Sequence, residues 1–302
     1  MMIEPKQRWR RYHTPNGICI NEDCEKVIQS YLLPNYTGKI QLILTSPPFP
    51  LKRAKKYGNK VGTEYLEWLC NIGRLMKPLL TENGSIVIEI GNAWNPAEPT
   101  YSTLPIETLL AFKNQCDLYL CQEFIYYNPA RLPGPIEWVN KQRIRVKDSF
   151  THIWWMASTP YPYSSNQEVL EAYSKQMKKL IKSGRYNSGL RPSEHIISDS
   201  AFAVDNGGAI PSNVIIAANT VSSDVYIRKC RESGLDIHPA RMAPAIPEFF
   251  IKFLTKKGDI VFDCFSGSNT TGAIAEKLDR LWITTELDRA YYEGSKKRFG
   301  GK

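Results

Sequence analysis

Thr45-Ser46-Pro47-Pro48-Phe49 sets two hydroxyls, two prolines and an aromatic ring directly after the apolar run of residues 40–44. Consecutive prolines remove two backbone donors, fix φ and hold the residue before them extended. What is left is a rigid row of acceptor carbonyls beside the Ser46 hydroxyl. Such a corner can accept hydrogen bonds from the exocyclic amino group of a planar base, with Phe49 as a stacking surface. With Ser46 Oγ and the Pro47 carbonyl each taking an amino proton, a lone pair otherwise delocalised into the ring is turned outward. The chemistry this suits is attack by an amine, with no covalent enzyme intermediate.

A second constellation closes the chain. Residues 260–262 are apolar and run through Asp263 into Cys264-Phe265-Ser266-Gly267-Ser268-Asn269-Thr270-Thr271-Gly272. A small-residue turn at the carboxyl end of a parallel strand is where open α/β sheets bind ligands, because free backbone amides and a helix N-terminus converge there. The turn is neither G-x-G-x-x-G nor a P-loop, so a nucleoside triphosphate is not expected. About twenty residues on, Glu286 ends another apolar run, the place where a carboxylate grips ribose hydroxyls. An adenosine ligand without a pyrophosphate, such as S-adenosylmethionine, fits both features. Taken singly, the loop could be a tight connection, Glu286 a helix cap and Ser-Pro-Pro-Phe a surface turn; their joint occurrence at strand ends argues for a site.

The elements that must position these residues can be read from periodicity. Apolar runs at 18–20, 40–44, 85–90, 118–127, 149–156, 259–263 and 281–286 predict strands. Helical spacing predicts helices over 23–33, 63–79, 244–254, from the Gly267 loop to 278, and from 288 onward. Alternation of this kind means a doubly wound, mostly parallel Rossmann-like sheet. Between 157 and 237 the pattern weakens into a polar helix over 167–183 and Gly/Ser-rich sequence. This segment reads as an insertion with its own task, between residues 1–156 and 238–302.

Composition narrows the partners. The 302 residues carry a net charge of +9, a pI near 9.1 and 11% aromatics, a mix suited to a polyanion with bases to stack on. The seven cysteines are scattered and never form C-x-x-C, which excludes a disulfide framework or zinc ribbon and indicates a reducing compartment. The basic N-terminus has no apolar core behind it, and no run approaches a membrane span. A soluble cytoplasmic protein is expected, with no metal, no membrane association and a monomeric state.

These motifs resemble the DNA N4-cytosine methyltransferases in which the catalytic motif precedes the cofactor motif, and the likeness covers most of the chain. The resemblance implies a class I S-adenosylmethionine-dependent methyltransferase fold in circularly permuted order, with a catalytic half, 1–156, a target-recognition segment, 157–237, and a cofactor half, 238–302. Ser46, Pro47, Pro48 and Phe49 match the family's catalytic motif; Thr45 and the run Asp263, Phe265, Gly267, Ser268, Asn269 and Thr270, with Glu286, match the cofactor side. His238-Pro239-Ala240-Arg241, followed by residues 247–250, is similar to the segment that closes over the cofactor's methionine part, which brings in His238 and Arg241. Asn21-Glu22-Asp23-Cys24 resembles the acidic turn near the adenine, which brings in Asp23. Residues 128–133, 136–141, 144–148 and 205–208 are similar to one member of the family that acts on CAGCTG. The function so implied is methylation of cytosine N4 in duplex DNA, the target base flipped, in the restriction-modification system of a bacterial cytosol or nucleoid.

Cations that could meet DNA fall in three places. Lys52, Arg53, Lys55 and Lys56 follow the Pro-Pro corner and could take phosphates. Arg143, Arg145 and Lys147 alternate along an extended stretch beside Trp138, which puts them on one face if that stretch is a strand. Arg185 and Arg191, with Asn187 and His195, are candidates for reading bases. Two rival readings stay open: an adenine N6 methyltransferase, which usually has Asp or Asn where Ser46 stands, and a catalytically silent DNA-binding protein on the same scaffold.

Overall fold

A computed structural model describes residues 3–49, 60, 62–184, 189–190, 192, 196–197, 204–218 and 224–299. The strands are β1 (Arg10–His13), β2 (Gly17–Asn21), β3 (Ile40–Thr45), β4 (Leu80–Gly91), β5 (Tyr119–Tyr127), β6 (Phe150–Ala157), β7 (Gly189–Leu190), β8 (Ile196–Ile197), β9 (Val214–Ile216), β10 (Ile260–Asp263) and β11 (Leu281–Thr285). The helices are α1 (Cys24–Val27), α2 (Leu33–Tyr36), α3 (Gly62–Met76), α4 (Leu104–Gln115), α5 (Lys175–Ser183), α6 (Val225–Glu232), α7 (Ala245–Leu254), α8 (Thr270–Lys277) and α9 (Arg289–Ser295). Nine of the strands form one sheet in the order β1-β2-β11-β10-β3-β4-β6-β5-β9. From β2 to β4 the strands are parallel, and β6 runs antiparallel to both neighbours.

Period-two alternation sends successive side chains of each central strand to opposite faces, so each strand serves two cores. Ile43 of β3, Ile88 of β4 and Phe262 of β10 pack with Val27, Leu69 and Phe112 on one face. Leu42 and Leu44, Val87 and Val261 pack with Ile246, Phe250 and Tyr292 on the other. All six residues of β3 are buried, which is why its sequence shows no polar alternation. The doubly wound α/β architecture is as the sequence predicts.

Several elements differ from expectation for identifiable reasons. The helix over 23–33 is α1, a π-helical turn Ile28–Leu32 and α2, with Pro34 in the first turn of α2. Strand β4 starts ahead of the expected 85–90 and takes in Asn83-Gly84: the β3–β4 register jumps from Ile40↔Leu80 to Leu42↔Ser85, and Gln41 Nε2 donates to the Asn83 carbonyl at 3.2 Å to tie down the extra residues. Helix α4, strands β1 and β9 and helix α6 were not expected. In α4 the exposed Ile106 and Leu110 alternate with the buried Leu104 and Phe112, which blurs its apolar stripe.

The chain forms two compact units, residues 1–164 with 213–302, and Ser165–Ser212. The second is narrower than 157–237, because β9 pairs with β5 and α6 buries Tyr226 and Cys230 in the first unit. Within the second unit the long polar helix is broken. A 3-10 turn, Asn166–Val169, is followed by a bridge between Glu171 and Ala209, and α5 begins only at its Ser174 cap, whose side chain accepts from Met177 N.

Helix α3 lies against α4 at Gly73, where an added Cβ would stand 2.5 Å from Cys116 Sγ and from the Phe112 ring. Gly73→Ala should therefore lower stability by ~1–3 kcal/mol through overpacking. Urea unfolding checks this, and an unchanged midpoint would show that the two helices can part freely.

Candidate active site

Strands β3 and β10 are neighbours and parallel, so the Pro-Pro corner and the Gly267 loop leave the sheet at the same edge. Thr45 Oγ1 donates to Asp263 Oδ1 at 2.7 Å, and Phe265 N donates to the same oxygen at 3.0 Å. The loop is stitched onward to β11: Ser266 N and Oγ both donate to the Thr285 carbonyl at 3.0 Å, and Thr285 Oγ1 donates to the Cys264 carbonyl at 2.7 Å. Glu286 then closes the turn, its Oε2 accepting from Gly267 N and its Oε1 from Asp288 N, both at 2.8 Å.

Corner and loop face a common cavity of about 920 Å³. Ser46, Pro47, Pro48, Phe49, Asp23, His238, Arg241, Asp263, Phe265, Gly267, Ser268, Thr270 and Glu286 all line it. Gly267 has φ +52, and a Cβ there would come within 3.0 Å of His238 Nε2, so glycine leaves room for the imidazole above the loop. His238 is held by its own N–H on Tyr226 Oη at 3.0 Å and by an edge contact with Tyr291, and Arg241 donates to its carbonyl at 3.1 Å. Trp68 of α3 lies 5.5 Å from Phe265 and adds a second aromatic wall.

Two expected contacts are corrected. Thr45 and Asn269 are fully buried and do not line the cavity. Thr45 spends its hydroxyl on Asp263. Asn269 adopts φ +55, caps α8 through Oδ1 to Gly272 N at 3.1 Å and donates Nδ2 to Tyr12 Oη at 2.9 Å, so it shapes the loop from behind. Asp23 both lines the cavity and caps α1, accepting from Glu25 N and Lys26 N.

Arg143, Arg145 and Lys147 do not share one face of a strand. Trp138 sits in a π-helical turn whose carbonyl accepts from Ile144 N and Arg145 N, the chain folds back, and Arg143 takes φ +57. No strand forms there. Arg145 Nε donates to the Pro99 carbonyl at 2.9 Å and Lys147 Nζ to that of Pro129 at 3.1 Å. Lys52, Arg53, Lys55, Lys56, Arg185, Asn187, Arg191 and His195 lie outside the described residues.

Sequence reasoning missed Glu89, Gly91 and Arg131. Glu89 is a buried acid on β4, hydrogen-bonded to Ser46 and accepting from Thr151 Oγ1 at 3.1 Å. Its signal was a lone charge inside the apolar string Ile86-Val87-Ile88-Glu89-Ile90. At Gly91 a Cβ would lie 2.5 Å from the Phe49 ring, so glycine lets that ring settle on the end of β4. Arg131 lines the cavity and donates to the Phe150 carbonyl at 3.1 Å.

Burial raises three carboxyls here. It pushes Glu89 and Glu286 each up to about 7 and Asp263 up to about 6, against hydrogen bonds that pull the other way. Among the described residues no three metal-ligating side chains come together, and no helix is long and apolar enough to cross a membrane. The residues instead fit an adenosine ligand: a carboxylate for a diol, aromatic walls for a purine, and a glycine, Gly267, under His238.

A doubly wound sheet with this loop, its acidic partner and an acceptor corner on one edge defines a class I S-adenosylmethionine-dependent methyltransferase. The chain belongs to the DNA methylase family, whose N6_N4_Mtase model matches residues 40–297. It is 40% identical over 290 residues to the type II methyltransferase M.PvuII of Proteus hauseri, covering 95% of this chain and 85% of that one. M.BglII of Bacillus subtilis is 22% identical over 256 residues, 85% of this chain and 62% of its own. Among solved structures, the cytosine-N4-specific PvuII DNA methyltransferase matches with a TM-score of 0.77 and 33% identity over 96% of this chain and 89% of that one. The complex of M1.HpyAVI with SAM shares the fold, with a TM-score of 0.55 at 20% identity over 94% and 98% of the two chains.

Raised carboxyl pKa values fix a sign. Between pH ~4 and ~7 the folded chain holds protons the unfolded chain has lost, so these groups cost stability as pH rises through that window. Raising Glu89 from 4.5 to about 7 corresponds to ~3 kcal/mol above pH 7. Glu89→Gln should therefore lose less stability than the wild type between pH 5 and pH 8. Equal losses in denaturant melts at the two pH values would refute the assignment.

Proposed function

We propose that the chain transfers a methyl group from S-adenosylmethionine to the exocyclic N4 of a cytosine flipped out of duplex DNA. The observation that carries this reading is that Ser46 and Pro47, backed by Glu89, face the same cavity as Glu286 and the Gly267 loop. Serine at position 46, rather than Asp or Asn, favours cytosine over adenine. The similarity to a relative whose solved structure is called cytosine-N4-specific supports the same choice.

When bound, S-adenosylmethionine supplies an electrophilic sulfonium methyl. Glu286, with both oxygens already oriented by backbone N–H groups, takes the ribose hydroxyls, while Phe265 and Trp68 border the purine. Phe49 stacks on the flipped base, its ring steadied against Gly91. Ser46 Oγ and the Pro47 carbonyl accept the two N4 protons and so aim the lone pair. The amine begins with two protons and ends with one proton and the methyl. Ser46 passes the proton released to Glu89, whose pKa of about 7 leaves a share of it ionised at neutral pH. No cysteine is needed as a nucleophile.

Base reading is assigned to the Ser165–Ser212 unit, in which α5 presents the exposed Lys175, Lys178, Lys179 and Lys182. CAGCTG is the first sequence to test, within a restriction-modification role. The product decides the reading: DNA methylated by the protein, digested to nucleosides, should show N4-methylcytosine by mass spectrometry. N6-methyladenine would instead establish the adenine enzyme, and no methylated nucleoside the silent scaffold.

Ser46→Ala should slow methyl transfer at saturating substrates by ~100-fold or more while S-adenosylhomocysteine affinity stays within about twofold. Turnover equal to wild type would remove Ser46 from the chemistry.

A further inference from the structure

Leu132 is 84% exposed, yet it lines the cavity that holds Ser46 and Glu286. A single exposed leucine is ordinary on a loop that moves with solvent. The backbone around this one is held carbonyl by carbonyl. That of Asn128 accepts from Arg131 N at 3.2 Å, and those of Pro129 and Arg131 from Lys147 Nζ at 3.1 and 3.5 Å. The Pro133 carbonyl accepts from Asn140 Nδ2 at 3.3 Å, and the Gly134 carbonyl from Asp148 N at 3.0 Å. Arg131 anchors its guanidinium on Phe150, and Asn128 Oδ1 accepts from Ala130 N at 3.0 Å. The loop thus holds an apolar side chain in water at the mouth of the site, between Arg131 and Pro133.

We infer that Leu132 is a positioning residue that enters the base stack where the target nucleotide has left, and so holds the base in the cavity. The inference rests on the proposed flipped-cytosine reading. Apolar side chains wedge between base steps and offset lost stacking in duplexes that proteins deform. The occupant this surface fits is duplex DNA rather than an apolar protein face. Its leucine stands beside Arg131, and the same loop exposes Arg143, Arg145 and Lys147, which suits stacked bases edged by phosphates.

The test compares Leu132→Ala and Leu132→Met with wild type on two duplexes of the sequence the wild type methylates. One has the target cytosine paired with guanine; the other has it opposite an abasic site, so that extrusion costs less. On the paired duplex, Leu132→Ala should lower single-turnover methyl transfer at saturating DNA by about tenfold or more. It should also reduce the fluorescence rise of 2-aminopurine placed at the target position. On the abasic duplex its rate should return to within about threefold of wild type, and Leu132→Met should stay near wild type on both. Equal slowing on both duplexes would mean a structural role only, and wild-type behaviour on the paired duplex would mean no wedge; either overturns the inference. A wild type that methylates cytosine N4 alongside either result shows that the wedge alone has failed. No N4 methylation by the wild type overturns the underlying reading and the wedge together.

Discussion

The Thr45 hydroxyl and the buried Asp263 carboxyl meet at 2.7 Å between adjacent parallel strands, and both halves of the site hang from that bond. One strand ends in the acceptor corner, the other in the cofactor loop, and more than two hundred residues of chain separate them. Asp263 is 2% exposed, so leaving its carboxyl without partners would cost more than a surface bond is worth. Thr45 Oγ1 and Phe265 N both donate to its Oδ1. The same contact explains how the motif order can be permuted: the sheet fixes which strand ends are neighbours, and chain order only decides how they are connected.

From this junction the polarity of the site follows. The corner offers acceptors, the loop offers backbone donors already partly taken by Glu286, and Glu89 stands behind Ser46 on the next strand, β4. Three carboxyls lining one cavity are each raised by burial, and Glu89 and Glu286, pushed up to about 7, are only part-ionised at neutral pH. Such a site can take up a proton without creating a full new charge in a poorly solvated place. The glycines contribute by omission: Gly91 admits Phe49, and Gly267 admits His238.

What could be read from sequence was local. Ser46 to Phe49, the Gly267 loop and Glu286 each sit at the end of an apolar strand, where composition and turn chemistry coincide, and the structure brings all of them to one cavity. Contacts between distant segments left little trace. Glu89 shows in the sequence only as one charge inside an apolar strand. Asn269 has the composition of a ligand-binding loop residue, but a left-handed backbone and a neighbour at Gly272 turn it into a cap. Alternation of Arg143, Arg145 and Lys147 suggested a strand, yet the Trp138 carbonyl folds the chain back before one can form. The compact middle unit ends before β9, a strand of three residues that shows itself only by pairing with β5.

The Thr45–Asp263 bond ties the strand that ends in the acceptor corner to the strand that ends in the Gly267 loop, although Thr45 does not line the cavity. A double-mutant cycle on Thr45→Val and Asp263→Ala, read as S-adenosylhomocysteine affinity by calorimetry, measures that link directly. The predicted result is a coupling of ~1 kcal/mol or more, with Thr45→Val alone weakening binding. Additive effects, or a Thr45→Val protein that binds like wild type, would contradict it.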